Sequence, residues 1–276
     1  MTYTALITGA SSGIGEATAR RLAREPDTRV ILVARRQARL RALADELGPA
    51  ASAIAADLTD ADAPTRIRAT IEAEHGGSLQ MLVNNAGARW SADFADAGWA
   101  NVERHLRINF EAPVRLTEAL LPLLRAAAAA SPPSPAPAGS PGRRVCIVNV
   151  ASTAARVGRP GAGAYSASKF ALAGWSESLY NEERPHGVHV GLVLPGFVQT
   201  EGFPARELIG HPLKRRLVAR PELVAEAIVE AGPGGRAERF VPRFYAVPAL
   251  LRAIAPSLIR RATAGGAFTT RSEPAD

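Results

Sequence analysis

A single cysteine, Cys146, stands among 276 residues, so no disulfide can form within the chain. A reducing cytoplasm is the expected setting. The thiol falls inside an apolar run, VCIVNV, and reads as a small buried hydrophobe, not as a nucleophile. Aromatic residues make up only 5% of the chain, which leaves little material for stacking bases. The five histidines lie apart without the spacing of metal ligands, so no metal site is expected. No apolar run approaches the roughly 18 residues of a membrane span, and MTYTALITG lacks the basic stretch of a signal peptide. Internal repeats are absent. The formal net charge of +7 comes from arginines scattered along many segments. No basic run concentrates them, and nucleic-acid binding is not expected. What remains is an ordinary globular composition, 47% apolar, suited to one α/β domain over residues 1–276.

The chain is organised around Val145–Lys169, VCIVNVASTAARVGRPGAGAYSASK. Val145, Ile147, Val148 and Val150 predict a strand buried on both faces of a parallel sheet. Ser152 falls where that strand stops, the end at which open α/β sheets bind ligands. Tyr165 and Lys169 are four apart at the start of a helical run, so they project side by side. A free phenol titrates near pH ~10, and a cation within about 4–6 Å lowers that value toward a working pH. Tyr165 is thus the candidate general acid/base, with Lys169 tuning it and Ser152 holding a substrate carbonyl oxygen. On the residues alone, the same spacing also describes an exposed phenol beside a solvated lysine.

Strand-like Tyr3–Thr8 runs into Gly9-Ala-Ser-Ser-Gly13-Ile-Gly15 and then a helical run. A glycine turn at a helix N-terminus makes an anion site from open backbone N–H groups and the helix dipole. In that pattern Gly9 permits the turn, Gly13 lets the backbone approach a pyrophosphate, and Gly15 allows close helix packing. The second strand, Arg29–Val33, ends in Ala34-Arg35-Arg36, where an NAD-preferring fold usually carries an acid. Two guanidiniums there suit a 2′-phosphate, so NADP(H) is favoured over NAD(H). Helices are expected at 37–47 and 63–73, and a third strand at 52–56 leads to Asp57-Leu58. A fourth strand, 79–83, runs into Asn84-Asn85-Ala86-Gly87. A long helix over Trp99–Arg125 carries Asn109, whose amide needs partners; capping a kink near Pro113 would satisfy it.

Ser131–Gly142 is proline-rich and reads as an exposed loop insertion at the sheet end away from the ligand mouth. A strand at 188–194 leads to Pro195-Gly196-Phe197-Val198-Gln199-Thr200, and residues 201–220 read as a substrate lid. A helix from Arg220 to Ala231 and a short strand at 238–242 follow. Residues 243–276 form a C-terminal extension. In it Val247, Leu250, Leu251, Ile254 and Leu258 make an apolar stripe over two short helices, with Arg252, Arg260 and Arg261 off it. The expectation is that the stripe packs on the protein or on another subunit. Peripheral contact with a membrane surface is the alternative.

These motifs, taken in order, resemble those of the short-chain dehydrogenases/reductases over about residues 3–240. The carrying residues are Thr8-Gly9-x-x-x-Gly13-x-Gly15, Asp57-Leu58, Asn84-Asn-Ala-Gly87, Asn109, Ser152, Tyr165-x-x-x-Lys169 and Pro195-Gly196 with Thr200. The resemblance implies a doubly wound, Rossmann-type α/β fold with a seven-stranded parallel sheet and helices on both faces. It implies a catalytic set of Asn109, Ser152, Tyr165 and Lys169, with Asn109 holding a relay water and Lys169 also binding the nicotinamide ribose. The implied cofactor-binding set is Gly9, Ser11, Ser12, Gly13, Ile14 and Gly15 in the first turn. Arg35 and Arg36 follow, with Asp57 and Leu58 near adenine, and Asn85, Ala86 and Gly87 by the adenosine ribose. Tyr165, Lys169, Pro195, Gly196, Val198 and Thr200 complete it, the last two by the carboxamide. The chain departs from the family pattern at Gln80, where an acid is usual, in the proline-rich insertion, and in its long tail.

The expected activity is NADP(H)-dependent interconversion of a carbonyl and an alcohol. Phe197, Phe203 and the apolar lid residues point to a fairly hydrophobic small-molecule substrate. A homo-oligomer, dimer or tetramer, is expected. A 3-oxoacyl-carrier-protein reductase is the near alternative, its arginine-rich surface docking an acidic carrier. A non-catalytic NADP(H)-binding sensor or scaffold is the alternative of another class, and the intact Ser, Tyr and Lys set argues against it.

Overall fold

A computed structural model describes residues 2–130, 144–201, 210 and 214–264. The strands are β1 (Tyr3–Thr8), β2 (Thr28–Ala34), β3 (Ala51–Ala55), β4 (Met81–Asn84), β5 (Cys146–Val150) and β6 (His189–Pro195). A short pair, β7 (Phe197–Val198) and β8 (Val218–Ala219), precedes β9 (Glu238–Val241). The helices are α1 (Gly13–Leu22), α2 (Gln37–Leu47), α3 (Ala63–His75), α4 (Phe94–Leu106), α5 (Ala112–Ala130) and α6 (Gly163–Glu183). After them come α7 (Pro221–Ala231), α8 (Ala246–Ile254) and α9 (Pro256–Ala264).

Seven strands form one sheet in the order β3-β2-β1-β4-β5-β6-β9, every pair parallel. The sequence pattern dictates this. β1, β4 and β5 are buried at every position, as strands covered by helices on both faces must be. Ala5, Ile7, Val30, Leu32 and Met81 face one layer with Leu22, Leu40 and Ile228 of α1, α2 and α7. Leu6, Ile31 and Leu82 face the other with Ile67, Leu116 and Leu179 of α3, α5 and α6. The chain winds outward from β1 to β3, then returns to place β4 on the far side of β1. A crevice therefore opens beyond the carboxyl ends of β1 and β4, where this architecture binds its ligands.

Buried side chains pin the layers. Asn84 Nδ2 donates to Asn149 Oδ1 (2.8 Å) and Thr117 Oγ1 (3.0 Å), and Asn149 Nδ2 donates to Ser176 Oγ (2.8 Å). This chain of bonds ties β4 and β5 to α5 and α6. Gln80 Oε1 accepts from the Thr4 N–H at 2.7 Å, which joins the start of β1 to β4. Cys146 is fully buried, and burial pushes its thiol up to about 12, so it is inert as expected.

One expectation is corrected. The single helix expected over Trp99–Arg125 is α4 and α5 joined by a π-turn at Arg107–Glu111, with a further break at Gly98 (φ 53°, ψ −154°). Pro113 has no N–H to return to the Asn109 carbonyl, and the wider i+5 turn is the natural response. The apolar stripe of the tail is left largely uncovered by the described residues. Neither α8 nor α9 has a buried residue, and Leu250 and Ile254 are 63% and 70% exposed. The proline-rich loop and most of the expected lid lie outside the described residues. No helix among those described is long and apolar enough to cross a membrane.

Candidate active site

The glycine turn sits in the crevice between β1 and β4. α1 begins at Gly13 behind an extended Ser12 that caps it with no side-chain bond, so its first N–H groups stay open to an anion. Gly13 has φ +58°, and a Cβ there would lie 3.0 Å from Thr200 Cγ2. Only a glycine leaves that gap open. Thr8 Oγ1 accepts from the N–H groups of Asn85 and Ala86, both at 2.9 Å, and Asn85 Nδ2 donates to the Thr8 carbonyl. These bonds lock the first turn to the Asn84–Gly87 turn. Ile14 packs against the core layer behind. The cradle fits a dinucleotide pyrophosphate.

The two arginines after β2 differ in place. Arg36 lies across the glycine turn, donating to Ser11 Oγ (3.2 Å) and Ser12 Oγ (2.7 Å). Arg35 is exposed and 3.8 Å from Asp57 Oδ2. Burial alone would raise the Asp57 carboxyl, yet bonds from the Thr59 N–H and hydroxyl, with Arg35, hold it below its usual value. Leu58 is buried beside it. Sequence reasoning placed Glu201 only at the start of the lid, with no role of its own. Its carboxylate pairs with Arg36 (3.0 Å) and Arg39 (2.6 Å), and those bonds lower it to about 2.

At the other end of the crevice, Ser152 follows β5 in extended backbone. Its Oγ accepts from the Ala154 N–H (3.1 Å) and faces the Pro195 carbonyl (3.4 Å). Gly196 bonds to the Val241 carbonyl, and Val198 is buried in β7. The Tyr245 ring packs over Gly196, where a Cβ would meet it at 2.3 Å, and the Tyr245 hydroxyl donates to the Leu217 carbonyl. Lys169 is buried, and its Nζ donates to the Val150 carbonyl at 2.9 Å. Burial lowers its pKa to about 8. Asn109 is buried in the π-turn, and its amide reaches Ala88 and Ser168 across the site, not the helix kink. A Cβ on Gly87 would lie 2.7 Å from Asn109 Oδ1 and 3.5 Å from Lys169 Nζ, so the two motifs meet.

Tyr165 corrects one expectation. Its phenol is raised, not lowered: loss of water dominates, while the Ser152 hydroxyl and the Arg89 and Arg159 guanidiniums pull the other way. Lys169, engaged with Val150, is not among the groups that move it. Sequence reasoning missed both arginines. Arg89 lies 5.9 Å from the Tyr165 ring centroid, and Arg159 lies 5.0 Å from that of Phe197. His105 packs edge-on to Tyr165 and is neutral. Its Nε2 takes the Trp90 N–H (3.0 Å), which leaves the proton on Nδ1 to donate to the Asn101 carbonyl. Burial and the neighbouring Arg104 and Arg89 keep it so.

Residues 3–207 match the family model described as short chain dehydrogenase. The chain belongs to the short-chain dehydrogenases. An uncharacterised oxidoreductase of Myxococcus xanthus is 34% identical over 93% of this chain and 94% of its own length. The ketoacyl reductase HetN of Nostoc sp. is 32% identical over 83% of this chain and 74% of that protein. Among solved structures, the 3-ketoacyl-(acyl-carrier-protein) reductase of Brucella melitensis, complexed with NADH, superposes with a TM-score of 0.74. It is 27% identical and covers 86% of this short-chain dehydrogenase and 95% of its own chain. The chain is therefore an oxidoreductase of a family that binds nicotinamide cofactors.

Proposed function

We propose that this short-chain dehydrogenase interconverts a carbonyl compound and an alcohol with NADP(H), using Tyr165 as the proton donor and acceptor. The observation that carries the reading is Tyr165 beside Ser152 at the mouth of the crevice, with Lys169 one turn further on. In reduction, Ser152 donates a hydrogen bond to the carbonyl oxygen, and Tyr165 delivers the proton as that oxygen becomes an alcohol. A phenol raised by burial keeps its proton at neutral pH, which suits the acid role. The phenolate left behind is stabilised by Ser152 and by the two guanidiniums. Oxidation reverses these transfers. Bound nicotinamide supplies or accepts the hydride.

The glycine turn would hold the pyrophosphate, Asp57, Leu58 and the Asn85–Gly87 turn the adenosine, and Val198 and Thr200 the carboxamide. Lys169 would hold the nicotinamide ribose. Asn109 positions the Ala88 turn, and a relay water there fits the proposed proton path. Arg36, with Arg35, supports a 2′-phosphate, since no carboxylate occupies positions 34–36. A ketoacyl reductase is the second reading, favoured by HetN and the Brucella protein. The lone thiol suits the cytoplasm we propose for it. The exposed stripe of α8 and α9 supports a homo-oligomer.

NADPH oxidation across a panel of carbonyls, with Tyr165→Phe as control, tests the activity. The variant should bind NADPH as the wild type does and lose at least about 100-fold in kcat. A variant retaining more than about a tenth of kcat overturns the role of Tyr165. Tight NADPH binding without turnover of any carbonyl leaves the sensor reading.

A further inference from the structure

Many guanidiniums among the described residues face a carboxylate, as Arg20, Arg21, Arg125 and Arg156 do. Arg89 and Arg159 do not: neither forms an ion pair among the described residues. Both are half-buried, and each lies within the field of the Tyr165 phenol. Arg89 Nε is a buried donor without a hydrogen-bond partner among the described residues. Arg159 is held against the Phe197 ring, and its charge is disfavoured first by burial and then by Arg89. Asp93 lines the same cavity of about 330 Å³ as Arg159, between α4 and the first turn of α6, yet makes no ion pair with it. His105 is neutral and fully bonded, and the Tyr245 phenol beside Arg159 is pushed up to about 12 by burial, so neither supplies a negative charge.

Two like charges, partly stripped of water and left unneutralised beside a reacting group, are costly to fold. An anion placed between them removes that cost, and guanidiniums match the planar oxygen pair of a carboxylate or a phosphate. We propose that Arg89 and Arg159 bind an oxyanion group of the carbonyl substrate, a carboxylate or phosphate, and so orient its carbonyl toward Tyr165. The inference rests on the carbonyl–alcohol reading above, and it departs from the hydrophobic substrate expected from Phe197 and Phe203. It also separates the two readings of the activity. An acyl group on a carrier is a neutral thioester near its carbonyl, which gives these arginines nothing to hold.

The test compares a short oxocarboxylate, its methyl ester and an oxoalkyl phosphate of matched chain, using the full-length wild type with NADPH. The wild type should favour an anionic compound over the ester by at least about tenfold in kcat/KM. Whether carboxylate or phosphate leads identifies the oxyanion. Arg89→Met and Arg159→Met should each cut the acid-to-ester ratio by about tenfold, and Arg159→Lys should restore part of it. NADPH affinity, read by fluorescence titration, should stay within about twofold. A wild-type ratio near unity overturns the proposal. So does a fall in NADPH affinity that matches the fall in turnover, which would assign the arginines to a cofactor phosphate. Should no carbonyl turn over, the underlying reading fails, and thermal shift with the oxocarboxylate against its ester still decides the site. Stabilisation by both or by neither refutes it.

Discussion

Asn109 grips the main chain of Ala88 from both sides: its Oδ1 accepts from the Ala88 N–H at 3.0 Å, and its Nδ2 donates to the Ala88 carbonyl at 2.9 Å. A third bond, to Ser168 Oγ, ties the same amide to α6. Ala88 follows Gly87 of the Asn84–Gly87 turn and precedes Arg89. The π-turn thus sets the spacing between the glycine cradle and the groups around Tyr165.

Asn109→Leu removes these bonds and leaves the Ala88 N–H and carbonyl to find other partners. At about 1 kcal/mol per bond, a loss of about 3 kcal/mol is expected in urea unfolding, with weaker NADPH binding. A loss below about 1 kcal/mol would mean that the turn holds itself.

Lys169 gives stability a pH dependence of definite sign. It is 4% exposed, and burial takes its pKa from 10.5 to about 8. Below that lower value both states hold the proton, and the dependence is flat. Between the two values the unfolded chain keeps a proton that the folded chain has released, so stability rises with pH. The rise is at most about 3 kcal/mol. Unfolding of wild type and Lys169→Met at about pH 7 and about pH 9.5 isolates it, and stops short of the Tyr165 phenol. The wild type should gain on the variant as pH rises. A difference that does not change with pH refutes the assignment.

Glu201 stands where it can oppose a 2′-phosphate, because it already occupies Arg36 and Arg39. These pairs are exposed and screened by water, so their worth is small. Glu201→Gln should tighten NADPH by up to about fivefold and leave NADH within about twofold, as read by titration. Arg36→Ala should weaken NADPH selectively. Equal effects on both cofactors would take Arg36 away from the 2′-phosphate.

The sheet was legible because its central strands are continuous apolar runs, such as Ala5-Leu6-Ile7 and Val30-Ile31-Leu32-Val33, bounded by glycine turns or charged residues. Ser152, Tyr165 and Lys169 were legible because a strand end and a helical spacing suffice to bring them together. The π-turn was not, since a missing N–H at Pro113 changes helix type without interrupting the apolar pattern. Arg89, Arg159 and Glu201 were hidden for another reason. Nothing near them in sequence marks them out from the other arginines and acids, and their roles arise where distant loops converge. The tail stripe was read correctly as amphipathic, but periodicity says only that one face is apolar, not what covers it.

That stripe leads to the last prediction. α8 and α9 contact each other and the turn at Arg243–Tyr245, and no residue in either helix is buried. Ending the chain after Tyr245 therefore removes little apolar surface that folding has taken from water. The melting temperature should stay within about 2 °C of the full chain. Tyr245→Ala should do more harm, because its ring fills the space over Gly196 and its hydroxyl anchors Leu217. About 2 kcal/mol, or roughly 5 °C, is expected from that substitution. Binding of a hydrophobic dye separates the two further, since Val247, Leu250, Ile254 and Leu258 are all more than half exposed. The shortened chain should bind less dye than the full one, while Tyr245→Ala should bind as much or more. A drop of more than about 5 °C on shortening, with no loss of dye binding, would show that the two helices pack on the body after all.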